Sequence, residues 1–182
     1  MKKNIQSLFS IILYVFFAVY IALLLYLLFF ARIGLRGMEL YEINFIPFFT
    51  ISEQLSQLQV TMTVANLLIN IFLLVPLGLY LPVLWGKKKI IIYFCLIVII
   101  SLFVEVVQFI FDLGAADIDD IILNSFGGFL GLMSYKILFT LFKQEYKVRI
   151  FTAIISAITG ILVIIFLAVE LFQWITWNNS IL

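Results

Sequence analysis

The sequence contains no histidine and a single cysteine, Cys95. Without histidine there is no histidine general base, no histidine ligand for zinc and no phosphohistidine intermediate. One cysteine cannot form a disulfide within the chain, and Cys95 is expected to fill the packed core. Charged residues make up 12% of the 182 residues, which is about half the usual share in a soluble domain. The net charge of +1 gives no reason to expect a nucleic acid as partner.

What remains is strongly apolar, with 65% hydrophobic residues and a mean hydropathy of +1.25. A water-soluble fold of this length cannot bury so many apolar side chains, so lipid is the expected solvent. Five apolar runs are each long enough to cross ~30 Å of hydrocarbon. They are residues 8–31, 61–83, 90–111, 121–142 and 150–173. The predicted fold is an all-α, polytopic membrane helix bundle that forms a single domain over residues 1–182.

Basic residues predict the orientation of the bundle. The first run follows Lys2 and Lys3 but is longer than the ~7–15 residues of a signal-peptide core, so we interpret it as an uncleaved helix. The amino end and the connections after the second and fourth runs carry eight basic residues, against two in the other connections, Arg32 and Arg36. Because cytoplasmic loops carry the excess of basic residues, the amino terminus is predicted in the cytoplasm and the carboxyl terminus outside the cell.

The connection between the first and second runs is too long for a simple turn. Thr50 and Glu53 fit a capping box, and apolar residues follow them at helical spacing. A short amphipathic helix on the outer membrane surface is therefore predicted. The apolar, proline-containing stretch 44–49 before it is expected to dip into the membrane interface.

Polar residues within the apolar runs form one stripe on each of three helices. The third run carries Ser101, Glu105, Gln108 and Asp112; the second carries Thr63, Asn66 and Asn70; the fourth carries Asp120, Asn124, Gly127 and Gly131. The spacing places each set on one helical face, and lipid forbids that face from pointing outward. Each stripe also lies in the predicted outer half of its helix.

The three stripes are therefore expected to converge. Glu105, Gln108, Asn70 and Asn124 should line one cavity that opens outward, with the segment 117–120 at its rim. An acidic side chain inside a membrane helix costs roughly 2.5–3.5 kcal/mol, so Glu105 needs a partner or a use. We expect Asp117 or Asp119 to lie close enough to Glu105 to share a cation or a bridging water.

Structural roles are also compatible with these residues. Glu105 would then form an ion pair with Arg32, and Asp120 would cap the fourth spanning helix. The asparagines Asn66, Asn70 and Asn124 would be interhelical hydrogen-bonding residues, and Gly127 and Gly131 would allow close helix packing.

At these residues the sequence resembles the VanZ-like family of membrane proteins. The matching motifs are Asn70-x5-Pro76-Leu77-Gly78, Glu105-x-x-Gln108, Asp117-Ile118-Asp119-Asp120-x3-Asn124-x2-Gly127 and the segment around Asn44, Pro47 and Phe48. They cover a core of about residues 44–134 and leave the fifth spanning helix outside. Many members carry an arginine just before the aspartates, where this chain has Gly114-Ala115-Ala116. An anion-binding charge would have to come from Arg32 or Arg36 instead.

The resemblance implies a role in the cell envelope, because the family takes its name from a protein that lowers the susceptibility of Gram-positive bacteria to the glycopeptide teicoplanin. The first hypothesis is a membrane protein whose outer site, including Arg32, Asn70 and Asn124, handles a ligand. Membrane lipid, a lipid-linked cell-wall precursor and a glycopeptide are the expected partners, and lowered glycopeptide susceptibility is one outcome.

Two other functions remain open. In an intramembrane enzyme, Asp117, Asp119 and Asp120 with Glu105 would hold Mg²⁺ or Ca²⁺, which prefer oxygen ligands, and the metal would grip the phosphate of a lipid. Glu105 would be the base, with Gln108 and Asn124 as orienting donors. In a proton-coupled transporter, Glu105 would carry the proton.

Overall fold

The structure is a computed structural model of the chain, and it describes residues 2–30, 44–86, 88–111, 113 and 116–180. Six α-helices occupy these residues: α1 (Lys2–Leu25), α2 (Phe49–Ser56), α3 (Val60–Trp85), α4 (Ile90–Ile110), α5 (Ile118–Phe142) and α6 (Glu145–Ser180). A short π-helix, Tyr26–Phe30, continues α1. The described part of the chain has no β-strand and only an isolated bridge between Asn44 and Asp117.

Five of these helices are long and apolar enough to cross a membrane, which confirms the predicted membrane helix bundle. The spanning segments are Gln6–Phe29, Val60–Trp85, Ile90–Ile110, Ile118–Phe142 and Glu145–Ile165. Two boundaries differ from the predicted ones for local reasons. Helix α3 extends past its predicted end and stops at Gly86, whose φ of 83° lies in the left-handed region that favours glycine. Helix α5 begins about one turn earlier than predicted because Asp117 caps it.

The chain forms two compact units, which are described separately. The first comprises Met1–Ile21 and Gln144–Leu182, and it contains most of α1 together with α6. Within this unit Gly160 leaves room for the ring of Phe16, because a Cβ atom at Gly160 would collide with the ring carbons. The second unit, Ala22–Lys143, contains the end of α1, the π-helix and α2 to α5.

In the second unit, α3 and α5 pack side by side through glycines. A Cβ atom at Gly127 would collide with the carbonyl oxygen of Ile71, and one at Gly131 would collide with that of Val75. Because both pairs advance together along the sequence, α3 and α5 run parallel. The predicted close packing at Gly127 and Gly131 is thus confirmed.

Helix α4 packs against another side of α5 in the antiparallel direction. The Ser101 hydroxyl donates to the Ile121 carbonyl oxygen at 3.3 Å, and Gly128 leaves room for the side chain of Ile97. The amino ends of α3 and α5 and the carboxyl end of α4 therefore meet at one end of the second unit. We call this end, together with residues 44–49 and α2, the polar end.

Two expected interior positions are exposed. Cys95 is exposed, so its assignment to the packed core is wrong. It lies two residues from both Tyr93 and Ile97, which are buried, and two residues along a helix lead to the opposite face. Asn66 is also exposed and does not share the interior face of Thr63 and Asn70, which are buried.

Candidate functional site

The interior face of α4 carries the polar stripe predicted from the sequence. Ser101, Glu105 and Gln108 are all buried, and Glu105 is only 3% exposed. The apolar residues beside them on the helix, such as Leu102 and Phe103, are exposed. Helix α4 therefore turns its polar side chains into the second unit, as the period of 3.6 residues and the lipid solvent require. Asp112, the remaining member of this stripe, lies outside the described residues.

Glu105 faces the amino end of α5. Its Oε2 atom accepts the backbone N–H of Asp117 at 3.4 Å, a long hydrogen bond. The unpaired N–H groups and the dipole of a helix make its amino end electropositive, which favours a nearby carboxylate. The structure thus brings the acidic residue of α4 to the aspartate motif through a backbone group of Asp117.

Gln108 connects α4 to the π-helix that follows α1. Its Nε2 group donates to the carbonyl oxygen of Leu28 at 2.8 Å. Because a carbonyl oxygen accepts only, the amide orientation is fixed and Oε1 faces elsewhere. Gln108 Oε1 is buried and has no hydrogen-bond partner among the described residues. One half of this amide is therefore structural, whereas the other half can accept a donor.

Asp117 is the N-cap of α5. Its Oδ1 atom accepts the backbone N–H of Asp119 at 2.9 Å, which satisfies one of the free donors of the first turn. The alternative in which Asp120 caps this helix is therefore wrong. Asp120 instead lies inside the first turn, where its Oδ1 atom accepts a hydrogen bond from Asn70 Nδ2 on α3.

Asp119 is buried beneath the segment before α2. It is 3% exposed, and its Oδ1 atom accepts the backbone N–H of Phe48 at 2.5 Å. The other carboxylate oxygen, Oδ2, has no hydrogen-bond partner in the described part of the chain. Asp119 is thus not at an exposed rim, whereas Asp117 and Asp120 are half-buried.

The amino end of α2 is not closed by the predicted capping box. Its N-cap is Phe48, which has a φ of 64° and no side-chain capping bond. Thr50 lies inside the helix, and its hydroxyl accepts a hydrogen bond from Asn44 at 3.0 Å. The predicted short helix is present, but an aspartate distant in sequence, Asp119, binds the backbone where the capping box was expected.

Asn44 holds the two parts of the polar end together and was missed as a site residue. Its backbone N–H donates to Ala116 O at 2.9 Å, and its carbonyl accepts from Ile118 N at 3.1 Å. Its side-chain Nδ2 group donates to Asp117 Oδ1 at 3.1 Å. The sequence marks Asn44 as a polar residue that begins an apolar segment and as part of a family-like segment, and neither feature reveals a partner 73 residues away.

The three aspartates have separate partners. Asp117 binds Asn44 and its own helix, Asp119 binds Phe48, and Asp120 binds Asn70. Within the described ranges, no three acidic or cysteine side chains group in a way that could hold a metal ion. The observed geometry therefore does not fit the Mg²⁺ or Ca²⁺ site predicted for Asp117, Asp119 and Asp120.

The remaining predicted site residues fall into two groups. Asn70 and Asn124 are buried, at 8% and 2% exposure, and Asn124 Oδ1 has no hydrogen-bond partner in the described ranges. Both amides are therefore buried in the second unit, as Glu105 and Gln108 are. Arg32, predicted to bind a ligand or to pair with Glu105, lies outside the described residues, as does Arg36.

Comparison with known proteins identifies the region of the chain that contains this site. The VanZ/LLP1 family matches residues 17–143, which is more than two thirds of the sequence and includes every candidate residue named above. The chain belongs to the VanZ/LLP1 family. The match also extends the family region beyond the core of residues 44–134 that the motifs indicated, and it leaves α6 outside.

One curated relative is Protein VanZ of Enterococcus faecium, which is 42% identical over 66 residues. The aligned part covers 36% of this chain and 41% of that relative, so the chain matches less than half of the relative's length. No solved structure matches the chain. The likeness to Protein VanZ is thus local, whereas the family match covers the whole second unit.

Proposed function

We propose that this multi-pass membrane protein acts in the cell envelope and lowers susceptibility to teicoplanin-type glycopeptides through its polar end. Membership of the VanZ/LLP1 family and the local identity to Protein VanZ support the functional class. The alternation of basic residues supports an outer location for the polar end, since the lysine-rich connections belong to the opposite side.

The observation that carries this proposal is the burial of Glu105 in a membrane helix at the electropositive start of α5. An acidic side chain costs more to insert into a membrane helix than a polar or neutral one, so its presence at this position supports a use that needs the charge. Gln108 Oε1 and Asn124 Oδ1 are further buried acceptor atoms of the second unit. We infer that the polar end handles a lipid-linked or wall-associated ligand.

No observation in the described part of the chain favours the two other functions. A metal-dependent lipid phosphatase would need its aspartates to converge, and they are held by different partners. A proton-coupled transporter would need polar groups that continue through the opposite half of the helices. The three predicted polar stripes each lie in the outer half of their helix.

The experiment is a drug-susceptibility assay in a susceptible Gram-positive host. We expect the wild-type protein to raise the teicoplanin concentration that inhibits growth, and Glu105→Gln to return it to the value of the empty vector. Glutamine keeps an oxygen that accepts the Asp117 N–H, so the variant removes the charge and leaves the hydrogen bond. Membrane levels should stay near those of the wild type.

The matched control is Glu53→Gln, which removes one negative charge from an exposed residue of α2. This variant should keep full activity. If Glu105→Gln were as active as Glu53→Gln, Glu105 would be structural and the proposal would fail. A wild-type protein without any effect on susceptibility would contradict the glycopeptide assignment itself.

A further inference from the structure

The polar end carries an apolar surface that lies outside the spanning helices. Phe45 is 76% exposed, Ile46 is 63% exposed and Phe48 is 58% exposed. We call residues 45–48 the apolar loop. Its ends are fixed, because Asn44 bonds to Asp117 and the Phe48 N–H bonds to Asp119. In a membrane protein, an apolar loop held in this way at the helix ends is suited to contact the apolar part of one membrane leaflet.

A buried acceptor lies directly beneath this loop. Asp119 Oδ1 binds the backbone of Phe48, whereas Oδ2 of the same carboxylate is buried and has no hydrogen-bond partner among the described residues. An acceptor oxygen removed from water without a donor is unfavourable, and a charged one more so. A ligand that brings N–H donors and positive charge would relieve this cost.

The charges of the described residues favour the same sign of ligand. Glu105 and the three aspartates 117, 119 and 120 are at the polar end, while the described lysines of the second unit precede α4 or lie in and after the last turns of α5. Gln108 Oε1, also buried and unpartnered in the described ranges, is a further acceptor. The described residues of the polar end therefore offer buried acceptor oxygens to a headgroup that carries N–H donors.

We propose that Asp119 and the apolar loop bind a membrane lipid whose headgroup carries a primary ammonium. The ammonium donates to Asp119 Oδ2, and the acyl chains lie against Phe45, Ile46 and Phe48. Because Oδ2 is covered, entry of the headgroup displaces the Phe48 end of the loop from Asp119, while Asn44 keeps the other end attached to Asp117. This inference rests on the proposed function, in which the polar end handles a lipid-linked ligand, and it specifies the chemistry of the headgroup.

The test is lipid binding to the purified full-length protein by native mass spectrometry. Phosphatidylethanolamine and phosphatidylcholine with identical acyl chains both carry a positively charged headgroup nitrogen, but only the ethanolamine nitrogen has N–H donors, whereas the choline nitrogen carries three methyl groups. We expect the wild type to bind the ethanolamine lipid about tenfold more tightly, the effect of one charge-assisted hydrogen bond. Asp119→Asn should lose this preference, because it places an amide donor where the headgroup needs an acceptor. Glu53→Gln, the matched surface variant, should keep it.

Equal binding of the two lipids by the wild type would overturn the inference, whether or not the variant folds. A preference that persists in Asp119→Asn would overturn the assignment to Asp119. Loss of drug protection in Glu105→Gln, together with equal lipid binding by the wild type, would leave the proposed function standing and reject only the ammonium headgroup.

Discussion

Asp117 joins three segments of the polar end. Its carboxylate caps α5 and accepts the side-chain amide of Asn44, while its backbone N–H reaches Glu105 on α4. Asp117 therefore contributes to the start of α5, to the position of the apolar loop and, through its backbone, to the contact with Glu105. A role of this kind requires hydrogen bonding more than negative charge.

Asp117→Ala is expected to lower the stability of the protein. Loss of an N-cap costs about 0.5–2 kcal/mol, and the Asn44 amide also loses its acceptor, so we expect a total of about 1–3 kcal/mol. Thermal unfolding of the detergent-solubilised protein measures this change. Asp117→Asn keeps an acceptor oxygen and should cost less.

Glu53→Ala is the control for this measurement, because Glu53 is exposed on α2. Its unfolding temperature should match that of the wild type. An unfolding temperature for Asp117→Ala equal to that of Glu53→Ala would show that the capping bonds contribute little.

Among the helices, the contact between α3 and α5 determines how the site residues on these two helices are positioned. Gly127 and Gly131 bring the two backbones together, which places Asp120 within hydrogen-bonding distance of Asn70. Lipid offers no hydrophobic force between helices, so close packing of small residues has to hold them.

Gly127→Ala should destabilise the second unit. The added methyl group would meet the backbone carbonyl of Ile71, which cannot move by rotating a side chain. Overpacking costs about 1–3 kcal/mol, and we expect the upper part of this range because the obstacle is backbone. The loss should appear in the denaturant midpoint of the detergent-solubilised protein.

Thr140→Ala is the matched control, since Thr140 is exposed on the same helix. Its denaturant midpoint should equal that of the wild type. A denaturant midpoint for Gly127→Ala equal to that of the wild type would mean that α3 and α5 can move apart without loss of stability. That result would contradict the role assigned to the glycine contacts.

The sequence predicts the helices well because lipid imposes strong constraints on them. Length and hydropathy locate the spanning segments, and the period of 3.6 residues places Ser101, Glu105 and Gln108 in the interior. The same reasoning misplaces Asn66. This residue lies roughly 60° around α3 from Thr63, and the interior face is too narrow to include it.

The contacts between segments could not be read from the sequence. Asp117 and Asp120 are both suitable N-cap residues for α5, and the path of the residues that precede the helix decides which of them caps it. That path is fixed by Asn44, which pairs with the backbone on both sides of Asp117. Local pattern carries no information on such a pairing, and so it could not predict the partners of the three aspartates.

For the whole molecule, the family region and the second unit nearly coincide. The VanZ/LLP1 match covers residues 17–143, and the compact unit is Ala22–Lys143. The polar end, the apolar loop and the glycine contact all lie within it. The proposed function depends on which side of the membrane this polar end faces, since a glycopeptide acts outside the cell.

Labelling of single cysteines in intact cells tests this orientation directly. In a Cys95→Ala background, Gln57→Cys places a thiol at the exposed end of α2, and Lys88→Cys places one at the opposite, lysine-rich end. A membrane-impermeant maleimide should label Gln57→Cys in intact cells, and Lys88→Cys only after the membrane is permeabilised. Labelling of Lys88→Cys in intact cells, with Gln57→Cys protected, would place the polar end in the cytoplasm and contradict the proposed outer site.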